Sequence, residues 1–138
     1  MALKVVDSGE LGMLEILRSA KLNDGNIRFR LFKNDHTPAN ADDISDYTEA
    51  DYDGYAEQAA SAWVLSTLVG GKAFTQSTAL VFLCTGSVTP NDIYGYYVVD
   101  MSSGDLWWAE RFASAPIVMD SPGDTISITP TLSAASES

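Results

Sequence analysis

The stretch IYGYYVVDMSSGDLWWAERF, Ile93–Phe112, decides the fold. It packs three Tyr, two Trp and one Phe into twenty residues. The segments IYGYYVVD and DLWWAERF read as two strands joined at Ser102-Ser103-Gly104. Gly104 can take a positive φ, so a three-residue hairpin loop with a bulge fits. Along the first strand Tyr94, Tyr96 and Val98 share one face, with Gly95, Tyr97 and Val99 opposite. Along the second, Leu106, Trp108, Glu110 and Phe112 oppose Trp107, Ala109 and Arg111. A solvated sugar platform needs its rings on one face. A central hairpin covered on both faces needs them on both, and that is the pattern here. Cross-strand aromatic pairs of this kind stabilise by roughly 0.2–1 kcal/mol each.

Upstream of the hairpin, NIRFRLFKN alternates: Ile27, Phe29 and Leu31 face one way, Arg28 and Arg30 the other. The loop NDHTPANADDISD is too rich in Asp, Asn and Pro for an element interior. YTEADYDGY holds a short strand. QAASAWVLSTL is open between helix, from its Ala content, and strand, which Trp63-Val64-Leu65 and the flanking strands favour. AFTQSTALVFLC is a strand, or two joined by a bend, and carries Val81 inward. SVTPND and SPGD are turns, and TISITPTL is a final strand with Ile126 and Ile128 inward.

One helix is signalled, over about residues 8–20. Asp7 and Glu10 have the spacing of an N-terminal capping box, and Leu11, Leu14 and Leu17 share a face. Met13 and Ile16 widen that face. Arg18 and Lys21 sit where the helix dipole favours cations, and NDGN ends the run.

The expected fold is therefore all-β: a jelly-roll-like β-sandwich of about seven or eight antiparallel strands with one N-terminal α-helix. The expected organisation is an arm and helix over 1–22 and a β-sandwich over 23–138, a single globular domain. The expected core is Phe29, Leu31, Val81, Tyr97, Val99, Leu106, Trp108, Ile126 and Ile128. The expected contact surface for partners is Leu11, Met13, Leu14, Ile16, Leu17, Tyr96, Trp107 and Arg111.

Composition narrows the function. The 138 residues are 46% hydrophobic and 20% charged, which describes a folded chain with a core. The net charge is −11, with only eight Lys and Arg. A nucleic-acid partner, which needs a cationic footprint, is not expected. No run approaches the ~20 apolar residues of a membrane helix, so no membrane partner is expected either. The start MALKVVDSGELG lacks an apolar signal core, which points to synthesis in a cytoplasm. The one cysteine, Cys84, lies in the apolar run ALVFLC and reads as a small buried hydrophobe.

Chemistry is not signalled. His36 is the sole histidine and lies in a polar loop, with no second ligand for zinc and no G-x-S-x-G elbow elsewhere. DYDGY, residues 51–55, faintly echoes a calcium loop but lacks its third acidic ligand and its bidentate Glu. Asp42, Asp43 and Asp46 read as a solvated acidic loop. No catalytic residue, metal or cofactor is expected. A carbohydrate-binding module would set exposed Trp and Tyr in one coplanar row, and an enzyme would need a pocket floored by His36 or paired carboxylates.

The order VVDSGELGMLEIL, RLFKNDHTP, YTEADYDGY, YGYYVVD, LWWAERF and GDTISITPTL resembles small virion proteins of tailed bacteriophages, over nearly the whole chain. Its sharpest parts are YTEA with the GY that follows, and the pair YGYYVVD and LWWAERF. The resemblance implies a structural role without catalysis, most directly a head decoration or cement protein. It implies the major capsid protein as partner, self-association as a homotrimer or another symmetric oligomer, and a place in the virion. Tail, baseplate or fibre-associated proteins are the alternative.

Overall fold

The structure, a computed structural model, describes residues 7–60, 62–64, 67–69 and 72–134. The described chain is mostly β, with one short α-helix. In order it runs α1 (Asp7–Leu17), a π-helical turn (Arg18–Leu22), β1 (Ile27–Phe32), a 3-10 turn (Ile44–Asp46), β2 (Gln58–Ala59), β3 (Thr67–Val69), β4 (Lys72–Gln76), β5 (Leu80–Leu83), β6 (Asn91–Ile93), β7 (Gly95–Asp100), β8 (Asp105–Arg111), β9 (Ile117–Met119), β10 (Thr125–Ile128) and β11 (Thr131–Ala134). These strands form four small sheets. The chain gathers into two compact units, one of residues 1–25, 60–80 and 128–138, the other of 26–59 and 81–127.

The larger unit is organised by the aromatic hairpin. Its four-stranded sheet has the order β2-β1-β7-β8. β1 pairs antiparallel with β7, Phe29 opposite Val98 and Leu31 opposite Tyr96. Alternation in β1 works as expected, with Ile27, Phe29 and Leu31 buried and Arg28 and Arg30 half-buried. β7 is buried at all six positions because neighbours cover both of its faces. On one face Phe29 stacks on Tyr96 at 5.7 Å and meets Trp108 edge-on at 5.8 Å. On the other, Phe32, Tyr47, Tyr97 and Val99 form a cluster, with Leu106 and Ala109 packed against it. Full burial of such side chains is worth roughly 1.5–3 kcal/mol each.

The hairpin loop is longer than expected. Asp100 pairs with Asp105, so four residues, Met101–Gly104, make the turn. Gly104 has φ +77° and donates its N–H to the Asp100 carbonyl at 2.8 Å. The buried Asp100 carboxylate accepts the Ser102 N–H and hydroxyl at 3.0 and 2.6 Å. The bulge lies within the ladder. Trp108 opposes Val98 and Leu106 opposes Val99, so Trp107 has no partner on β7. Gly95 is required where β7 crosses Phe32, since a Cβ there would collide with the Glu110 carbonyl and lie 2.6 Å from the Phe32 ring. Two further sheets complete this unit: β6 pairs antiparallel with β9, and β5 pairs with β10.

The run containing β5 corrects one core assignment. Leu80, Phe82 and Cys84 are buried, whereas Val81 is 51% exposed. An apolar run offers both parities to the core, and strand geometry admits only one. Ile126 and Ile128 are buried on β10 as expected. Leu106 and Trp108 are half-buried.

In the smaller unit α1 packs on a three-stranded antiparallel sheet of order β11-β4-β3. Leu14 and Leu22 are buried, while Met13 and Ile16 face outward, 62% and 69% exposed. Leu14, expected on the contact surface, therefore belongs to the unit's interior. Leu17 is half-buried, and the side chain of Leu11 lies outside the described residues. The α-helix ends at Leu17 and widens into the π turn, earlier than the expected end near residue 20. Arg18 pairs with Glu15 at 3.0 Å. In the stretch that was open between helix and strand, β2 occupies its start, residues 62–64 belong to no regular element, and β3 follows. Trp63 is buried, its Nε1–H donating to the Ala60 carbonyl at 2.7 Å.

Candidate functional site

The loop between β1 and Tyr47 folds back over the outer edge of β8. It is held at its ends by the Lys33 N–H donating to the Thr48 carbonyl at 2.9 Å, and by Asn34, which accepts from the Thr48 N–H and donates to the Asp46 carbonyl. Inside it, Asp43 and Asp46 form a capping box around the 3-10 turn. Arg111 ties the loop to β8: one guanidinium nitrogen donates to Asp35 Oδ1 at 2.7 Å and to the His36 carbonyl at 3.1 Å, and the group sits 5.1 Å from the Tyr94 ring centre.

Asp42 is the centre of this loop. Its Oδ2 takes three donors: the Tyr47 hydroxyl at 2.6 Å, His36 Nε2 at 2.7 Å and the Ala39 N–H at 2.9 Å. The Tyr47 hydroxyl, then His36, then the Ala39 amide hold the carboxyl down to about 2, so it is ionised at neutral pH. Burial first, and Asp42 second, push the Tyr47 hydroxyl up, so it remains a donor. Tyr47 in turn stacks on Tyr97 at 5.0 Å and meets Phe32 and His36 edge-on at the same distance. The loop is thereby keyed into the aromatic core.

Between this loop and β8 lies a cleft of about 380 Å³, bordered by Pro38, Ala39, Asn40, Asp42 and Tyr47 on one side and Leu106–Ala109 on the other. Trp107, the residue displaced by the bulge, lines it. Bulges recur beside functional sites because they re-aim a side chain. Trp108 also borders the cleft, but its Nε1–H donates to Tyr96 at 3.4 Å and its ring meets Phe29.

The expected site residues are thus sorted by the fold. Trp107 and Arg111 both lie on β8, where Trp107 lines the cleft and Arg111 holds the loop through Asp35 and His36. Tyr96, expected on a contact surface, is buried, its hydroxyl donating to Glu110 at 2.8 Å, because β7 is central rather than peripheral. Met13 and Ile16 are in the other unit. The carboxylates of DYDGY have structural work: Asp51 accepts from Lys33 at 2.8 Å and Asn91 at 3.0 Å, and Asp53 accepts the Val88 N–H at 2.7 Å. No group of three His, Cys, Asp or Glu among the described residues is placed to hold a metal ion. Sequence reading missed the joining of Asn40 and Asp42 to Trp107. The signal was the Asp42–Tyr47 spacing, which puts a carboxylate one short turn before an aromatic anchor.

No protein-family model matches this chain, and neither the curated proteins nor the solved structures contain a significant match to it.

Proposed function

We propose that this chain is a virion structural protein of a tailed bacteriophage, a decoration protein that binds the assembled head and stabilises it without catalysis. The observation that carries the proposal is the two-sided helix α1. Leu14 is buried on its own unit, while Met13 and Ile16, 62% and 69% exposed, present apolar side chains outward. A ligand that binds only the assembled shell stabilises it by mass action. A symmetric oligomer engaging several subunits at once adds avidity. In this reading the major capsid protein and further copies of the chain are the partners, and the β architecture is a jelly-roll-like sandwich. The similarity of YTEA, YGYYVVD and LWWAERF to phage virion proteins supports it. So does the engagement of His36, Asp42, Asp51 and Asp53 in holding loops.

The test is a density map of the intact particle from the phage whose genome carries this sequence. The proposal expects copies on the head at boundaries between capsid subunits. Copies found only on the tail or baseplate would transfer the assignment there, and absence from the particle would overturn it.

A further inference from the structure

We propose that the cleft between the 38–42 loop and β8 is a binding site for a neutral saccharide residue, stacked on Trp107 and donating hydroxyl hydrogen bonds to Asp42. Three independent features of the cleft lead there. The first is a prepared acceptor. Asp42 has a side chain only 10% exposed, and all three of its donors converge on Oδ2. Oδ1 has no donor among the described residues, and the residue borders the cleft. A carboxylate oriented this firmly offers lone pairs in fixed directions with little entropy left to lose.

The second feature is an aromatic surface without a partner. Phe29, Phe32, Tyr47, Tyr96, Tyr97 and Trp108 all have ring partners inside the unit. Trp107 has none among the described residues, and the bulge sets it apart from the ladder. An indole with one apolar face and an N–H donor suits the C–H face and ring hydroxyls of a sugar. The third is size. About 380 Å³ lies at the lower end of the roughly 300–1,000 Å³ of small-molecule sites.

Charge selects the ligand class. No Lys or Arg lines the cleft, so a phosphate or carboxylate ligand would face Asp42 uncompensated. A full cation is the weaker fit, because Tyr47, His36 and the Ala39 amide already draw on the Asp42 charge. What remains is a strong acceptor beside the amide of Asn40, which suits hydroxyl donors. This site is independent of attachment to a head: it lies in the larger unit, whereas Met13 and Ile16 belong to the smaller one.

The experiment is a titration of the full chain with the methyl glycosides of glucose, mannose, galactose and N-acetylglucosamine. It is followed by tryptophan indole N–H shifts in two-dimensional NMR, with tetramethylammonium and inorganic phosphate as comparison probes. At least one glycoside should shift the Trp107 indole saturably. Trp107→Ala should weaken binding about tenfold or more, equivalent to 1.4 kcal/mol, with the remaining spectrum folded. Asn40→Ala, an exposed position, should weaken the same glycoside without altering thermal unfolding. No saturable shift with any glycoside would overturn the proposal. So would equal binding by Trp107→Ala, or a response to tetramethylammonium or phosphate alone.

Discussion

Tyr97 of the central strand stacks on Tyr47 of the long loop, centroids 5.0 Å apart and planes 19° from parallel. One contact thus joins the most buried strand of the larger unit to the loop that builds the cleft. On the far side of the same strand, Phe29 fills the equivalent place against Tyr96 and Trp108. The central sheet is therefore held by an aromatic layer on each face.

Truncating either layer should be costly. Phe29→Ala and Tyr97→Ala should each destabilise by about 3–5 kcal/mol, the range for large aromatic side chains removed from a core. Trp108→Ala should cost less, because Trp108 is half-buried. Urea unfolding of the three variants checks the order. Equal midpoints for Trp108→Ala and Phe29→Ala would contradict this ranking.

The Asp42 carboxylate gives a pH dependence with a definite sign. Its folded value is about 2, below the ordinary 3.8, so folding is favoured by the ionised form. That contribution is fully present above about pH 4 and is lost as pH falls towards about 2. Asp42→Asn should therefore be less stable than the parent near neutral pH, with the gap closing in acid. Paired thermal melts across that range measure it. A gap that widens on acidification would show the opposite linkage.

Backbone approach makes Gly95 the least replaceable glycine of the hairpin. Gly95→Ala must push the Glu110 carbonyl and the Phe32 ring apart inside a covered sheet. Overpacking of this kind costs about 1–3 kcal/mol, and main-chain displacement adds to it. Gly104→Ala meets no neighbour, and its cost is the positive φ alone, about 1–2 kcal/mol. Chemical unfolding should rank Gly95→Ala as the more damaging.

What could be read from the chain follows its periodicities. β1 and the hairpin were legible because Arg28 and Arg30 mark one face of β1, and because aromatics at both parities need cover on both sides. β5 was not. Leu80, Val81, Phe82, Leu83 and Cys84 are all apolar, so nothing in the run says that Val81 points out. The helix was legible as a helix, but its Leu and Met-Ile positions did not reveal which set would be buried. The cleft was hidden for another reason. It depends on the Arg111 contacts to Asp35 and His36, residues 76 and 75 positions away, and no local pattern encodes that approach. The position of the bulge at Trp107 is likewise a property of the β7–β8 register, which shifts between Val98 and Val99.

The central proposal, attachment to an assembled head through the outer side of α1, is tested most directly by co-sedimentation with undecorated heads. Met13 and Ile16 are exposed, so Met13→Glu with Ile16→Glu should leave the circular dichroism melt within about 0.5 kcal/mol of the parent. The parent protein should pellet with heads and remain in solution with isolated capsid subunits, while the doubly substituted protein should stay in the supernatant with both. A folded double variant that pellets with heads as well as the parent would contradict the account.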